Sequence, residues 1–107
     1  MTAVKQHLFW PRHEIEDFCR RWQITELALF GSVLREDFGS TSDVDILVTF
    51  APEADWSLFD HLRMKEELHQ LLQRDIDLLS RDAVERSHNK PRRQEILNTA
   101  QVVYEAR

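Results

Sequence analysis

Three short stretches of this sequence hold residue types that can do chemistry together. Gly31-Ser32 directly follows an apolar run; after ten intervening residues come Asp43 and Asp45, with Val44 between them; Asp77 lies further on, flanked by Ile76 and Leu78. Residues two apart on a strand point to the same face, so Asp43 and Asp45 present their carboxylates side by side. Two like charges so close repel unless a cation sits between them. Carboxylate oxygens are the ligands Mg²⁺ prefers, and it binds through one or two of them plus substrate phosphates. Asp77 on a neighbouring strand completes the set, and a metal pair held this way suits an in-line displacement at phosphorus.

The other half of the constellation suits a triphosphate. Gly31 lets the backbone approach a phosphate with no Cβ in the way. Amides at the start of a following helix, with the Ser32 hydroxyl, donate to phosphate oxygens. Arg35, one turn on, is the first positive charge in reach. Each piece alone has a plain structural reading. An Asp-x-Asp pair caps a turn before a strand, a Gly-Ser after a strand is a turn, and Asp77 can pair with Arg74. Together they say more: with each type near ~6% of average composition, four fixed identities at fixed spacing recur in roughly one such chain in a thousand.

The elements that must position these residues follow from periodicity. Ile15, Phe18, Cys19 and Trp22 fall at i, i+3, i+4 and i+7, which predicts a helix over 13–22 with Pro11 at its start. A strand is expected over 25–30, ended by Gly31, then a short helix over 32–38 and a polar loop. The clearest strand is 43–50, broken by Pro52. A long helix over 57–73 follows, with Ser57 and Asp60 reading as a capping box and Leu58, Leu62, Met64, Leu68, Leu71 and Leu72 as its apolar face. A strand over 75–79 leads into a loop holding the basic cluster Arg81, Arg86, Lys90, Arg92 and Arg93, then a helix from Pro91 to about 98 and a closing strand over 102–104. The expected class is α/β (α+β), a small mixed sheet packed with helices, in one domain spanning 1–107.

Gly31-Ser32, ten residues, then Asp43-Val44-Asp45 resembles the GS-x10-DxD signature of the polymerase-β-like nucleotidyltransferases. The surrounding Leu29-Phe30-Gly31-Ser32 and Asp43-Val44-Asp45-Ile46-Leu47-Val48 are similar to the minimal nucleotidyltransferases of prokaryotes, and the likeness runs from about residue 25 to 104. The resemblance implies that Asp43, Asp45 and Asp77 are catalytic and bind metal, two Mg²⁺ ions being expected. It makes Gly31, Ser32 and Arg35 the nucleotide-binding residues, with ATP as substrate. It further implies transfer of AMP to a hydroxyl, a tyrosine's, of a HEPN toxin encoded alongside, so that the chain serves as antitoxin in a hetero-oligomer. The alternative is a non-catalytic antitoxin that neutralises its partner by binding and occlusion. The chain departs from the pattern at Glu36, where many members of the family carry glycine; an acidic side chain is unfavourable near a triphosphate unless it points to solvent.

Composition narrows the field. Fourteen basic and nineteen acidic residues give a net charge of −5, which argues against coating nucleic acid, and no direct nucleic-acid partner is expected. No apolar run approaches the ~20 residues of a membrane span, and residues 1–11 lack the apolar core of a secretory signal, so the cytoplasm is the expected location. Cys19 is the sole cysteine and lies on a helical stripe, which reads as a small buried hydrophobe. His7, His13, His61, His69 and His88 have no ligand spacing. Trp22 and Trp56 read as packing residues. Arg92 and Arg93 oppose the macrodipole at a helix start, which favours an interaction role for the basic stretch: docking an acidic partner, or extra triphosphate contacts.

Overall fold

A computed structural model describes residues 8–34 and 42–106. The element order is α1 (Arg12–Arg21), β1 (Ile24–Phe30), a 3-10 turn (Gly31–Leu34), β2 (Val44–Phe50), α2 (Leu58–Leu72), β3 (Ile76–Ser80), α3 (Arg81–Glu85), α4 (Lys90–Thr99) and β4 (Gln101–Glu105). The strands form a mixed sheet, as the alternation of elements predicts, and their order is β3-β2-β1-β4. β1 runs antiparallel to both β2 and β4, and β2 runs parallel to β3 through the crossover helix α2. Among the described residues no helix is long and apolar enough to cross a membrane.

Strand alternation sends side chains to two different cores. On one face Leu27, Leu29, Ile46, Val48, Ile76 and Leu78 pack against Ile15, Phe18 and Cys19 of α1 and Met64, Leu68 and Leu72 of α2. On the other face Ala28, Phe30 and Leu47 meet Val84 of α3 and Ile96 of α4 in a smaller cluster. Residues two apart share a face, so Asp45 belongs with Leu47 and Asp77 with Leu79 on this second, thinner side.

The capping box on α2 forms as its spacing predicts: Ser57 Oγ accepts from the Asp60 N–H at 3.2 Å, and the Asp60 carboxylate accepts from the Ser57 N–H at 2.9 Å. Trp22 and Trp56 serve packing. Their rings meet edge-on with centroids 5.0 Å apart, and Trp56 Nε1 donates to the Trp22 carbonyl at 2.9 Å. Trp22 Nε1 donates to Glu67, which also pairs with Arg21, and so locks α1 to α2. His61 Nε2 donates to the Leu78 carbonyl at 3.0 Å and ties α2 to β3.

Two expectations are corrected. The segment after β3 is not a loop: Ser80 Oγ accepts from the Ala83 N–H at 3.2 Å, and the i,i+4 pairs Arg81–Glu85 and Arg86–Asp82 hold a short helix, α3. Leu58 and Leu62 do not belong to the buried face of α2; they are 73% and 50% exposed, with Phe59 beside them at 79%. The face toward the sheet is set by the i, i+4, i+8 row Met64, Leu68, Leu72, and a 3.6-residue repeat puts Leu62 on the far side from Met64. The expected helix over 32–38 is borne out as far as the 3-10 turn ending at Leu34, and the rest of it lies outside the described residues.

Cys19 is fully buried, and burial pushes its thiol from 9.0 up to about 12. The folded protein therefore carries about a thousandfold less thiolate than the unfolded chain near neutral pH. Labelling with a disulfide reagent will be negligible in buffer and complete in denaturant. Rapid labelling of the native protein would contradict this packing.

Candidate active site

The site grows from one register. In the parallel β2–β3 pair Asp45 stands directly beside Asp77, with Ile46 beside Leu78. The pairing is anchored at its start, where the Val44 N–H donates to the Asp75 carbonyl at 2.9 Å and Arg74 Nη2 donates to the Ser42 carbonyl at 2.6 Å. Arg74 thus fixes the strand entry by its own bond to the backbone. Asp43, exposed, immediately precedes β2, while Asp45 and Asp77 are each half-buried.

The turn after β1 closes over this pair. Phe30 pairs with Asp45 across the antiparallel ladder, so Gly31 arrives at the carboxylate. Gly31 has φ +73°, and a Cβ there would overlap the Asp45 carboxylate and stand 3.0 Å from its Cγ. Only glycine satisfies both the left-handed backbone and the close approach. Ser32 donates twice, from its backbone N–H to the Asp45 carboxylate and from Oγ to the Asp43 carbonyl at 3.3 Å. The structure thus brings together Gly31, Ser32, Asp45 and Asp77, with Asp43 joined to them through its backbone carbonyl. Arg35 and Glu36 lie outside the described residues.

Burial, then the charges of Asp77 and Asp43, push the Asp45 carboxyl above its ordinary value, while the Ser32 N–H and the Arg92 guanidinium pull it back. Burial and the neighbouring carboxylates together disfavour the charged form of Asp45. The donor set is all oxygen, which fits a hard dication such as Mg²⁺. Among the described residues no three acidic or imidazole side chains converge as a ready-made metal cage.

Helix α4 roofs the site. A cleft of about 270 Å³ is lined by Phe30, Gly31, Asp45, Asp77 and, from α4, Arg92, Glu95, Ile96 and Thr99. The two arginines at the α4 start have separate jobs. Arg93 Nη1 donates to the Ser87 carbonyl at 3.1 Å and the Glu85 carbonyl at 3.4 Å, which ties α4 to the end of α3. Arg92 faces the acidic cleft, and its backbone N–H donates to the Asn89 cap at 3.2 Å. Sequence reasoning singled out the basic stretch without separating these two, and it missed Glu95 and Thr99. The available signal was the i, i+3, i+7 row 92, 95 and 99 on one helix face.

Comparison with known proteins fits this geometry. The family model of the nucleotidyltransferase domain matches residues 13–103, and the chain belongs to that family. A curated relative, a "putative protein adenylyltransferase" of Methanocaldococcus jannaschii, is 36% identical over 61 residues, which is 57% of this chain and 63% of that protein. The chain thus spans less than two thirds of that relative's length. A "putative minimal nucleotidyltransferase" of known structure is 30% identical, with TM-score 0.63 over 83% of this chain and 85% of that one. The fold also matches a toxin–antitoxin crystallised with AMP-PNP, at TM-score 0.68, 18% identity, and 92% and 76% coverage. A complex of tri-AMPylated Shewanella oneidensis HEPN toxin with MNT antitoxin matches at TM-score 0.58, 21% identity, and 88% and 69% coverage.

Three substitutions check the geometry. Gly31→Ala must pay for the left-handed backbone, roughly 1–2 kcal/mol, and also displace Asp45, so thermal unfolding will show a clear loss of stability. Arg93→Ala, which frees two carbonyls at the end of α3, will cost about 1 kcal/mol, whereas Arg92→Ala will leave the melting temperature nearly unchanged. Equal losses for the two arginines would contradict their separate placement.

Proposed function

We propose that residues 1–107 form one nucleotidyltransferase domain that moves AMP from ATP onto a hydroxyl, a tyrosine's, of a HEPN-type toxin and thereby acts as its antitoxin. The observation that carries this reading is the juxtaposition of Asp45 and Asp77 beneath the Gly31–Ser32 turn. The carboxylates and the glycine turn meet there in the lining of one cleft. Family membership supports nucleotidyl transfer. The names of the relatives, a protein adenylyltransferase and an antitoxin bound to an AMPylated HEPN toxin, support the acceptor class.

In this reading Asp43 and Asp45 hold Mg²⁺, with Asp77 as third carboxylate. Bound there, Mg²⁺ would offset the phosphate charge that builds up in the transition state. The Gly31 turn holds the triphosphate with Ser32, whose Oγ exchanges its 3.3 Å bond to the Asp43 carbonyl for one to a phosphate oxygen, and Arg35 is the third nucleotide-binding residue. Asp77 takes the proton of the acceptor hydroxyl as its oxygen bonds to the α-phosphorus. The bond from that phosphorus to the bridging oxygen breaks, and pyrophosphate departs. Arg92, facing the cleft, steadies the oxygens of the transferred group.

A specific observation also favours the second reading, neutralisation by occlusion. Leu58, Phe59 and Leu62 lie exposed together on α2, on the opposite side of the sheet from the acidic cleft. Such a patch suits a standing protein–protein contact.

The deciding experiment is intact mass of the neighbouring gene's product after incubation with this protein, Mg²⁺ and ATP. The expected result is a shift by whole adenylyl units, lost on chelation. Asp43→Asn and Asp45→Asn will lower the rate by at least about a hundredfold, the scale of losing an electrostatic group at the transition state, with unfolding unaffected or delayed. A stable complex with no mass change, in which Asp43→Ala/Asp45→Ala still neutralises the toxin, would transfer the conclusion to occlusion.

A further inference from the structure

A second cavity opens beside the acidic cleft and has no role in the mechanism above. It is a notch of about 170 Å³ between α3 and α4, with Leu79, Ala83, Val84 and Ile96 forming its apolar walls. Arg92 and Ile96 line both this notch and the cleft, so the two spaces adjoin. Leu79 follows Asp77 by two residues on the same strand and face, about 6.6 Å further along. Arg93 holds the α3 end to α4 through two backbone carbonyls, which fixes the wall of the notch.

Resting on the proposed adenylyl transfer, we propose that this notch receives the aromatic ring of the acceptor side chain and so selects a phenolic hydroxyl over an aliphatic one. Direction argues for the acceptor. The triphosphate is committed to the Gly31–Ser32 turn, which lies on the β1 side of Asp45. In an in-line displacement the nucleophile enters opposite the leaving pyrophosphate, which is the β3 side, where Asp77 stands and the notch opens. Size argues the same way. The notch is the smaller of the two spaces, about 170 Å³ against 270 Å³, and one six-membered ring fits it, given that a water molecule takes ~30 Å³. The chemistry agrees as well: the apolar walls suit the ring body, and Asp77 meets the hydroxyl. A serine or threonine has no group to fill the slot.

The test is a methyl NMR titration of the full chain with Mg²⁺ and AMP-PNP present, using N-acetyl-tyrosinamide and N-acetyl-serinamide as probes. Tyrosinamide will give saturable ring-current shifts at the Leu79, Val84 and Ile96 methyls, and serinamide will not. Ala83→Phe, which fills the notch from an exposed position on α3, will abolish those shifts while AMP-PNP binds as in the wild type. The same variant will lower kcat/KM for AMP transfer to a tyrosine acceptor about ten- to a hundredfold, the loss expected when one ring is shut out. Shifts of the notch methyls caused by AMP-PNP alone, with its affinity reduced in Ala83→Phe, would assign the notch to the base and overturn the proposal. So would an absence of tyrosinamide shifts. If tyrosinamide saturates the notch but the wild-type protein transfers no AMP to any acceptor, the functional reading fails and a phenol-binding notch stands.

Discussion

The structure turns on the parallel pairing of β2 with β3, because that register sets the Asp45 and Asp77 carboxylates side by side. Two unit charges ~5 Å apart repel by about 3 kcal/mol at an effective dielectric near 20, and Asp43 adds to the same field. The pairing holds because each strand also contributes to the large core: Ile46 and Val48 lie beside Leu78 and Ser80 in the ladder, and the first three are buried against α1 and α2 or close to them. Strand alternation keeps the two purposes apart. One face of β2 and β3 secures the fold, while the other carries the acidic pair. The cost of the charges is thus carried by a core on the far side of the same strands.

Everything else at the site answers that concentration of negative charge. The Ser32 N–H reaches Asp45 only because Gly31 turns the chain with positive φ against the carboxylate. Helix α4 brings Arg92 from the other side, and it is placed by the Asn89 cap and by the grip of Arg93 on α3. These contacts oppose the field of Asp77 and Asp43, while burial keeps the Asp45 carboxyl raised. A site in that condition is suited to a dication and to a substrate that brings one.

Much of this was legible in the residue pattern, and for definite reasons. The turn at Gly31 was readable because glycine is scarce in this chain, and the strand 43–50 because its apolar run is broken by Pro52. The Ser57–Asp60 cap was readable because the capping box is a local rule. Local rules also explain the misses. A five-residue helix such as α3 has too few residues for periodicity to show, and only the Ser80 cap announced it. The outward turn of Leu58 and Leu62 depends on which of two neighbouring helical stripes faces the sheet, and composition leaves that open. The division of labour between Arg92 and Arg93 depends on how α4 docks across the thin core. That docking is a tertiary fact, fixed by Ile96 against Val84, Phe30 and Leu47.

The central claim is that the Asp43/Asp45/Asp77 cluster beneath the Gly31 turn directs attack at the α-phosphorus of ATP. The most direct measurement is label transfer to the proposed HEPN-type partner from ATP carrying ³²P at the α or at the γ position. The account predicts label on the partner from α-labelled ATP alone, with γ label recovered as pyrophosphate. Label arriving from the γ position, or from neither while the partner is still neutralised, would contradict it.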